Sequence, residues 1–258
     1  MLGAMSDTRP NADVGNAAGL CAGTWLDGAL GRRLLACEER ALLNQLDTLF
    51  GNELVQIGRW GEPRLFLQHA RTHSVALLDT CVAPGVDVVG HPEQLPFCDD
   101  SIDAVLLPHT LESVASPHRV LREVDRVLRR DGCMLILALN SRGPVGARRA
   151  LSMQRFPDGA RRLLAEPRLR DWLALLDYHV LDVTPVLYGL PVDRGPGEPR
   201  QVSLDRWCQR WLPTVFGGAF VLRARKQVKP TALVRRPWAK RLPAANGRLA
   251  EPTTRNRA

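Results

Sequence analysis

The stretch that decides the fold begins Gly90-His-Pro-Glu-Gln-Leu-Pro-Phe97 and continues Cys98-Asp-Asp-Ser-Ile-Asp103-Ala-Val-Leu-Leu-Pro-His109-Thr-Leu-Glu112. It resumes at Ser116-Pro-His-Arg-Val-Leu-Arg-Glu123-Val-Asp-Arg126-Val-Leu-Arg-Arg-Asp-Gly132 and closes with Cys133-Met-Leu-Ile-Leu-Ala-Leu-Asn140. Asp103–Leu107 and Cys133–Leu139 are apolar with little alternation, the pattern of strands buried on both faces. Between them Ser116 suits an N-cap and Pro117 the first helical position. Val120, Leu121, Val124, Val127 and Leu128 form one stripe at helical spacing. Arg129 and Arg130 fall in the predicted last turn, and Gly132 is placed to stop the helix in a left-handed conformation.

Moving outward, Leu54–Gly58, Val75–Asp79 and Val86–Val89 are further apolar runs of strand length. Leu30, Leu34, Leu35, Leu42, Leu46 and Leu49 predict an amphipathic helix over Ala29–Phe50, ended before Gly51, with Trp25 packed near its start. Downstream, Leu163–Leu176 reads as a helix and Leu204–Leu212 as a short one. Pro191–Gln201 reads as a loop, and Val180–Leu187 and Phe220–Arg225 as strands that close the sheet. Strands alternating with helices predict an α/β fold, a doubly wound and mostly parallel sheet. The domain is expected over 25–225, between a disordered leader, 1–24, and a flexible basic tail, 226–258.

The chain has 258 residues, 45% hydrophobic and 24% charged, which suits one globular domain and excludes collagen-like, coiled-coil and wholly disordered classes. The longest apolar run, Cys133–Leu139, is too short to span a membrane, and Met1–Ala18 lacks a secretory pattern. Six scattered cysteines with no CxxC read as reduced thiols, which points to the cytoplasm. The net charge of +8 is uneven: from Lys226 onward there are nine Lys/Arg and one Glu, while the preceding residues hold 26 basic and 26 acidic groups. The tail, with Trp238 among Arg235, Arg236, Lys240 and Arg241, is either a solvated segment or one that docks on nucleic acid or another anionic surface.

Two features near the first strands point to a ligand. The turn Gln56-Ile-Gly58-Arg-Trp60-Gly61-Glu-Pro63 follows the first strand, where ligands of open α/β sheets bind; it reads either as a cradle or as a tight structural turn. Asp79 ends the second strand 21 residues after Gly58, where a carboxylate can accept from ribose hydroxyls or simply face solvent.

The register Leu95–Phe97, Asp103, Val105, Leu111–Glu112, Leu121, Glu123, Arg126–Leu128 and Gly132 resembles the class I S-adenosylmethionine-dependent methyltransferases, specifically the type 11 family. The resemblance spans about Leu54 to Asn140 and implies their Rossmann-like fold and S-adenosylmethionine as cofactor. It also implies that the turn around Gly58, Trp60 and Gly61 faces the methionine and ribose portion and that Asp79 holds the ribose. Gly90, His91 and Leu95 would then meet the adenine, and Leu107, Pro108 and His109 the methionine side. His109, at the fourth strand's end, is the candidate catalytic base; the other reading is a packed histidine.

This chain departs from the family pattern in several places. An indole stands at the second glycine of the turn (Trp60) and a carboxylate at the third (Glu62); Trp60 should clash with a cofactor unless the loop takes another path through Gly61. The acid expected before Leu95 is replaced by Gly90-His91, and the link from Asp79 to Val86 is too short for a helix. Neither a GxSxG elbow nor a Walker phosphate loop is present. Two functions follow: methyl transfer from S-adenosylmethionine to an unidentified acceptor, a small molecule rather than nucleic acid because the body is neutral, or an inactive methyltransferase-fold binding module whose basic tail docks on nucleic acid or a protein.

Overall fold

The computed structural model describes residues 26–49, 51–151, 160–188 and 216–227. The predicted leader, Trp25, the loop Pro191–Gln201, the helix Leu204–Leu212 and the tail beyond residue 227 lie outside them. The chain divides after Val228, and every described residue precedes that division.

Helix α1 (Ala29–Leu46) leads into β1 (Glu53–Ile57), a 3-10 turn (Leu67–His69), β2 (Ser74–Asp79), β3 (Val88–Val89) and β4 (Ile102–Pro108). Then come α2 (Thr110–Ser113), α3 (Pro117–Val127), β5 (Leu128–Leu139), α4 (Pro144–Leu151), α5 (Glu166–Leu175), β6 (Tyr178–Tyr188) and β7 (Gly217–Lys226). The strands form one seven-stranded sheet in the order β3-β2-β1-β4-β5-β7-β6. The first five strands pair in parallel, and β7 runs antiparallel to both β5 and β6.

The unalternating apolar runs are explained by burial on both faces. Successive strand residues point to opposite sides. Leu54, Leu77, Leu106, Leu135 and Val221 pack with the α1 leucines and with Trp60, Phe66 and Val145. Val55, Leu78, Val105, Leu107, Ile136 and Phe220 pack with Val120, Leu121, Val124 and Val127 of α3 and Leu169, Trp172 and Leu173 of α5. Each fully buried Leu or Ile is worth roughly 1.5–3 kcal/mol. Short links on this scaffold leave the β1–β2 turn and the ends of β2 and β4 together at the carboxyl edge of the sheet.

Several boundaries differ from expectation. Helix α1 ends at Leu46, not Phe50; the Asp47 N–H still reaches the Leu43 carbonyl, and Thr48 Oγ1 donates to the Gln45 carbonyl at 3.0 Å. Leu128, placed in the helix by its apolar stripe, opens β5 and pairs with Ile102, so Arg129 and Arg130 are strand residues. The left-handed residue there is Asp131 (φ 64°), not Gly132. Gly132 is needed for space, since a Cβ on it would lie 2.8 Å from the Arg129 carbonyl oxygen. Lys226 is the last residue of β7, not the first of a tail; it pairs with Tyr178, and its Nζ donates to the Asp125 and Leu128 carbonyls. As expected, no helix separates β2 from β3.

Cys37, Cys81, Cys98 and Cys133 are free thiols. Among the described residues no helix is long and apolar enough to cross a membrane, and no group of His, Cys, Asp and Glu could hold a metal ion.

Candidate functional site

The turn after β1 is built by two glycines. Gly58 (φ 90°) and Gly61 (φ 69°) both occupy the left-handed region, which costs glycine little. The Gly58 N–H donates to the Leu78 carbonyl at 2.8 Å and holds the turn against β2. Gln56 is 2% exposed, and its Nε2 donates to the Gly58 carbonyl at 2.9 Å. Its Oε1 is a buried acceptor with no hydrogen-bond partner.

Asp79 closes β2 and is also buried. Its Oδ1 accepts from the Thr80 N–H at 2.7 Å, and its Oδ2 accepts from Arg59 Nε, so the residue after Gly58 is ion-paired to it. Two contacts leave part of the carboxylate's acceptor capacity unused.

The segment before Leu95 is held from behind. His91 pairs with Gln94 in an isolated bridge, and its Nδ1 accepts from the Glu93 N–H at 3.2 Å. Leu95 is buried; its N–H donates to Glu123 Oε2 at 3.1 Å, and its carbonyl accepts from Arg126 Nη2 at 2.9 Å. Arg126 also donates to the Phe97 carbonyl and to Asp99. The Arg126 guanidinium holds the Glu123 carboxyl below its ordinary range. Glu123 and Arg126 are thus clamps for the Leu95–Phe97 turn. Asp103 likewise ties strand starts together: it accepts from the Asn52 and Glu53 N–H groups and from Arg129. Burial raises its pKa, but those donors outweigh burial and leave the carboxyl below its usual range.

The end of β4 holds the arrangement that the sequence did not reveal. Pro108 is the last strand residue, and His109 follows it with φ 55°. His109 is fully buried. Its Nδ1 lies 2.6 Å from Glu112 Oε2 and its Nε2 2.7 Å from Glu38 Oε1. The other Glu38 oxygen accepts from the Trp60 indole N–H at 2.8 Å, and the other Glu112 oxygen from the Leu139 N–H at 2.7 Å. The Trp60 ring lies on His109, with centroids 4.0 Å apart. Burial lowers the imidazole pKa, but the Glu38 and Glu112 carboxylates outweigh it and bring it to about 9. Burial pushes the Glu112 carboxyl up.

Both His109 ring nitrogens face carboxylates, and the imidazole is fully buried. Trp60 is 1% exposed and turned inward under α1, so its ring does not face outward from the turn.

Glu38 carried a signal that the sequence reading passed over. It lies four residues after Leu34 and four before Leu42, a charge in the middle of the apolar stripe. His118 is exposed on α3, with its ring against Trp172 and the ring centroids 4.1 Å apart.

The residues at these strand ends fit a nucleoside-bearing ligand with a charged tail. They offer a glycine turn with left-handed backbone, an orphaned buried acceptor on Gln56 and a carboxylate with spare capacity on Asp79.

Residues 66–136 match the methyltransferase domain family. The chain is 34% identical over 158 residues to the uncharacterised protein YafS of Escherichia coli (strain K12), which covers 61% of this chain and 65% of that protein. It is 32% identical over 128 residues to a demethylmenaquinone methyltransferase of Mycobacterium tuberculosis (strain ATCC 25618 / H37Rv), which covers 47% of this chain and 51% of that enzyme. The chain therefore spans about half to two thirds of the length of these relatives. Among solved structures, a SAM-dependent methyltransferase from Thermotoga maritima superposes with a TM-score of 0.55 at 19% identity, covering 75% of this chain and 91% of that one. Sequence register and fold agree: residues 66–136 are similar to the methyltransferase domain family, and the chain has the fold seen in solved class I S-adenosylmethionine-dependent methyltransferases.

Proposed function

We propose that this protein is a methyltransferase that takes its methyl group from S-adenosylmethionine and passes it to a small-molecule acceptor. The observation that carries this reading is the Asp79 carboxylate at the end of β2, beside the Gly58–Gly61 turn and within a domain of this family. Asp79 would hold the ribose, with Arg59 releasing it or remaining on its Oδ2. Backbone at Gly58 and Gly61, together with Gln56 Oε1, would meet the methionine portion beside Pro108. His91 and Leu95 would line the adenine.

When bound, the sulfonium supplies an electrophilic methyl group. This chain's part is to orient the partners and exclude water. The His109 network acts in that frame as a positioning device: it ties α1, the β1 turn, the β4 end and β5 into one unit. A small acceptor is favoured because the sequence up to residue 225 balances its charges.

Calorimetric titration with S-adenosylmethionine tests the reading. One saturable site is expected, with Asp79→Ala binding at least about tenfold more weakly. No binding at millimolar ligand, or equal binding by the variant, overturns it and leaves a binding module without transfer chemistry.

A further inference from the structure

We infer that the methyl acceptor is a small anion, carrying a carboxylate or phosphate, that docks on arginines gathered at the carboxyl ends of β4 and β5. This rests on the methyltransferase reading above and narrows it to a substrate class. Residues 140–165 contain Arg142, Arg148, Arg149, Arg155, Arg161 and Arg162 against a single acid, Asp158.

The fold brings two segments of this stretch, 140–151 and 160–165, against the strand ends. The Ser141 N–H donates to the Leu164 carbonyl at 3.0 Å, and the Leu164 N–H to the Leu139 carbonyl at 3.3 Å. The backbone N–H groups of Arg161 and Arg162 both reach the Glu112 carbonyl, at 2.9 and 3.3 Å. They are therefore fixed to the short helix whose carboxylate holds His109. Arg149 donates to the Ala160 and Arg161 carbonyls at 3.0 and 3.2 Å and joins the two segments. On the methyltransferase reading, an acceptor would approach these strand ends to meet a cofactor held beside Pro108.

Many arginines elsewhere are neutralised by carboxylates: Arg64 by Asp87, Arg71 by Asp47, Arg126 by Asp99, Arg129 by Asp103 and Arg170 by Glu166. At the β4–β5 end, among the described residues, four arginines differ. Arg149 and Arg162 donate to carbonyls, which leaves their charge in place, and the exposed Arg142 and Arg161 side chains make no ion pair with a described residue. Guanidinium groups match carboxylate and phosphate oxygens in paired hydrogen bonds. Clustered positive charge also concentrates anions from solution. A basic patch on a body whose charges balance overall suits a small anion better than a strand of nucleic acid, which needs phosphate contacts along its length.

The test titrates citrate and inorganic pyrophosphate separately into the full chain, so that the carboxylate and phosphate sources are told apart. One of the two is expected to bind in one-to-one ratio, and Arg142→Gln/Arg161→Gln should weaken it at least about tenfold while S-adenosylmethionine affinity is unchanged. The control pair Arg40→Gln/Arg122→Gln, both exposed on other elements, should leave anion binding as it was. No binding of either anion, an equal loss in the control pair, or tighter binding of a single-stranded RNA with a steep salt dependence would each overturn the proposal. Failure of the cofactor titration alone, with the anion results as expected, would strike the proposed function instead.

Discussion

His109 Nε2 and Glu38 Oε1 stand 2.7 Å apart although 71 residues separate them in the chain. This contact joins the first helix to the end of the fourth strand through charge buried away from solvent. Removing one member of such a pair leaves the other uncompensated, at a cost of about 3–5 kcal/mol. Glu38→Ala is expected to destabilise the fold by that amount in urea denaturation. A loss below about 1 kcal/mol would show that the cluster adds little.

The same cluster sets a pH dependence. The His109 pKa rises from 6.5 to about 9 on folding, so its contribution is fully present below pH 6.5 and is lost as pH climbs through 9. The unfolding free energy of the native chain should therefore fall between these values. In His109→Gln that slope should be absent, while the variant is less stable at neutral pH. An unchanged slope in the variant would assign the dependence to other groups.

Trp60 contributes both area and a hydrogen bond. Trp60→Phe keeps most of the ring packing but leaves Glu38 Oε2 without its indole donor, for an expected loss of about 1–3 kcal/mol. Trp60→Ala also opens a cavity, for about 3–5 kcal/mol. Thermal melts of the two variants read the difference; equal melting temperatures would mean that the indole N–H is without weight.

Arg126 makes four kinds of contact at once, to the Leu95 and Phe97 carbonyls, Asp99 and Glu123. Arg126→Ala is expected to loosen the Leu95–Phe97 turn before it unfolds the sheet. Amide hydrogen exchange should accelerate over residues 91–101 while β4 and β5 stay protected. Uniform acceleration would indicate global destabilisation.

Gly146 tests the packing of α4. A Cβ there would lie 1.9 Å from the Ser141 carbonyl oxygen, on the backbone that leaves β5. Gly146→Ala should destabilise by about 1–3 kcal/mol or more, judged by the denaturation midpoint. A neutral outcome would mean that the turn at Ser141 yields easily.

Much of this architecture was legible in the linear sequence, because strands buried on both faces announce themselves as unbroken apolar runs and α3 as an apolar stripe. The junction at Leu128 was not, since an apolar residue serves a helix stripe and a buried strand equally well. Glu123 and Arg126 stood out as matching family positions, but their work on the Leu95–Phe97 turn shows only in three dimensions. The His109 cluster was hidden because its members come from three separate regions of the chain. A histidine at a strand end says nothing of two carboxylates arriving from elsewhere.

The seventh strand lies between the fifth and the sixth. During synthesis β6 leaves the ribosome before β7, the strand it pairs with, exists, and β5 waits with one edge bare. The sheet cannot close until residues 217–226 have emerged, so assembly on this side waits for nearly the whole domain to be translated. A stall or truncation before that point would release a chain with two unpaired edges and the associated hazard of aggregation.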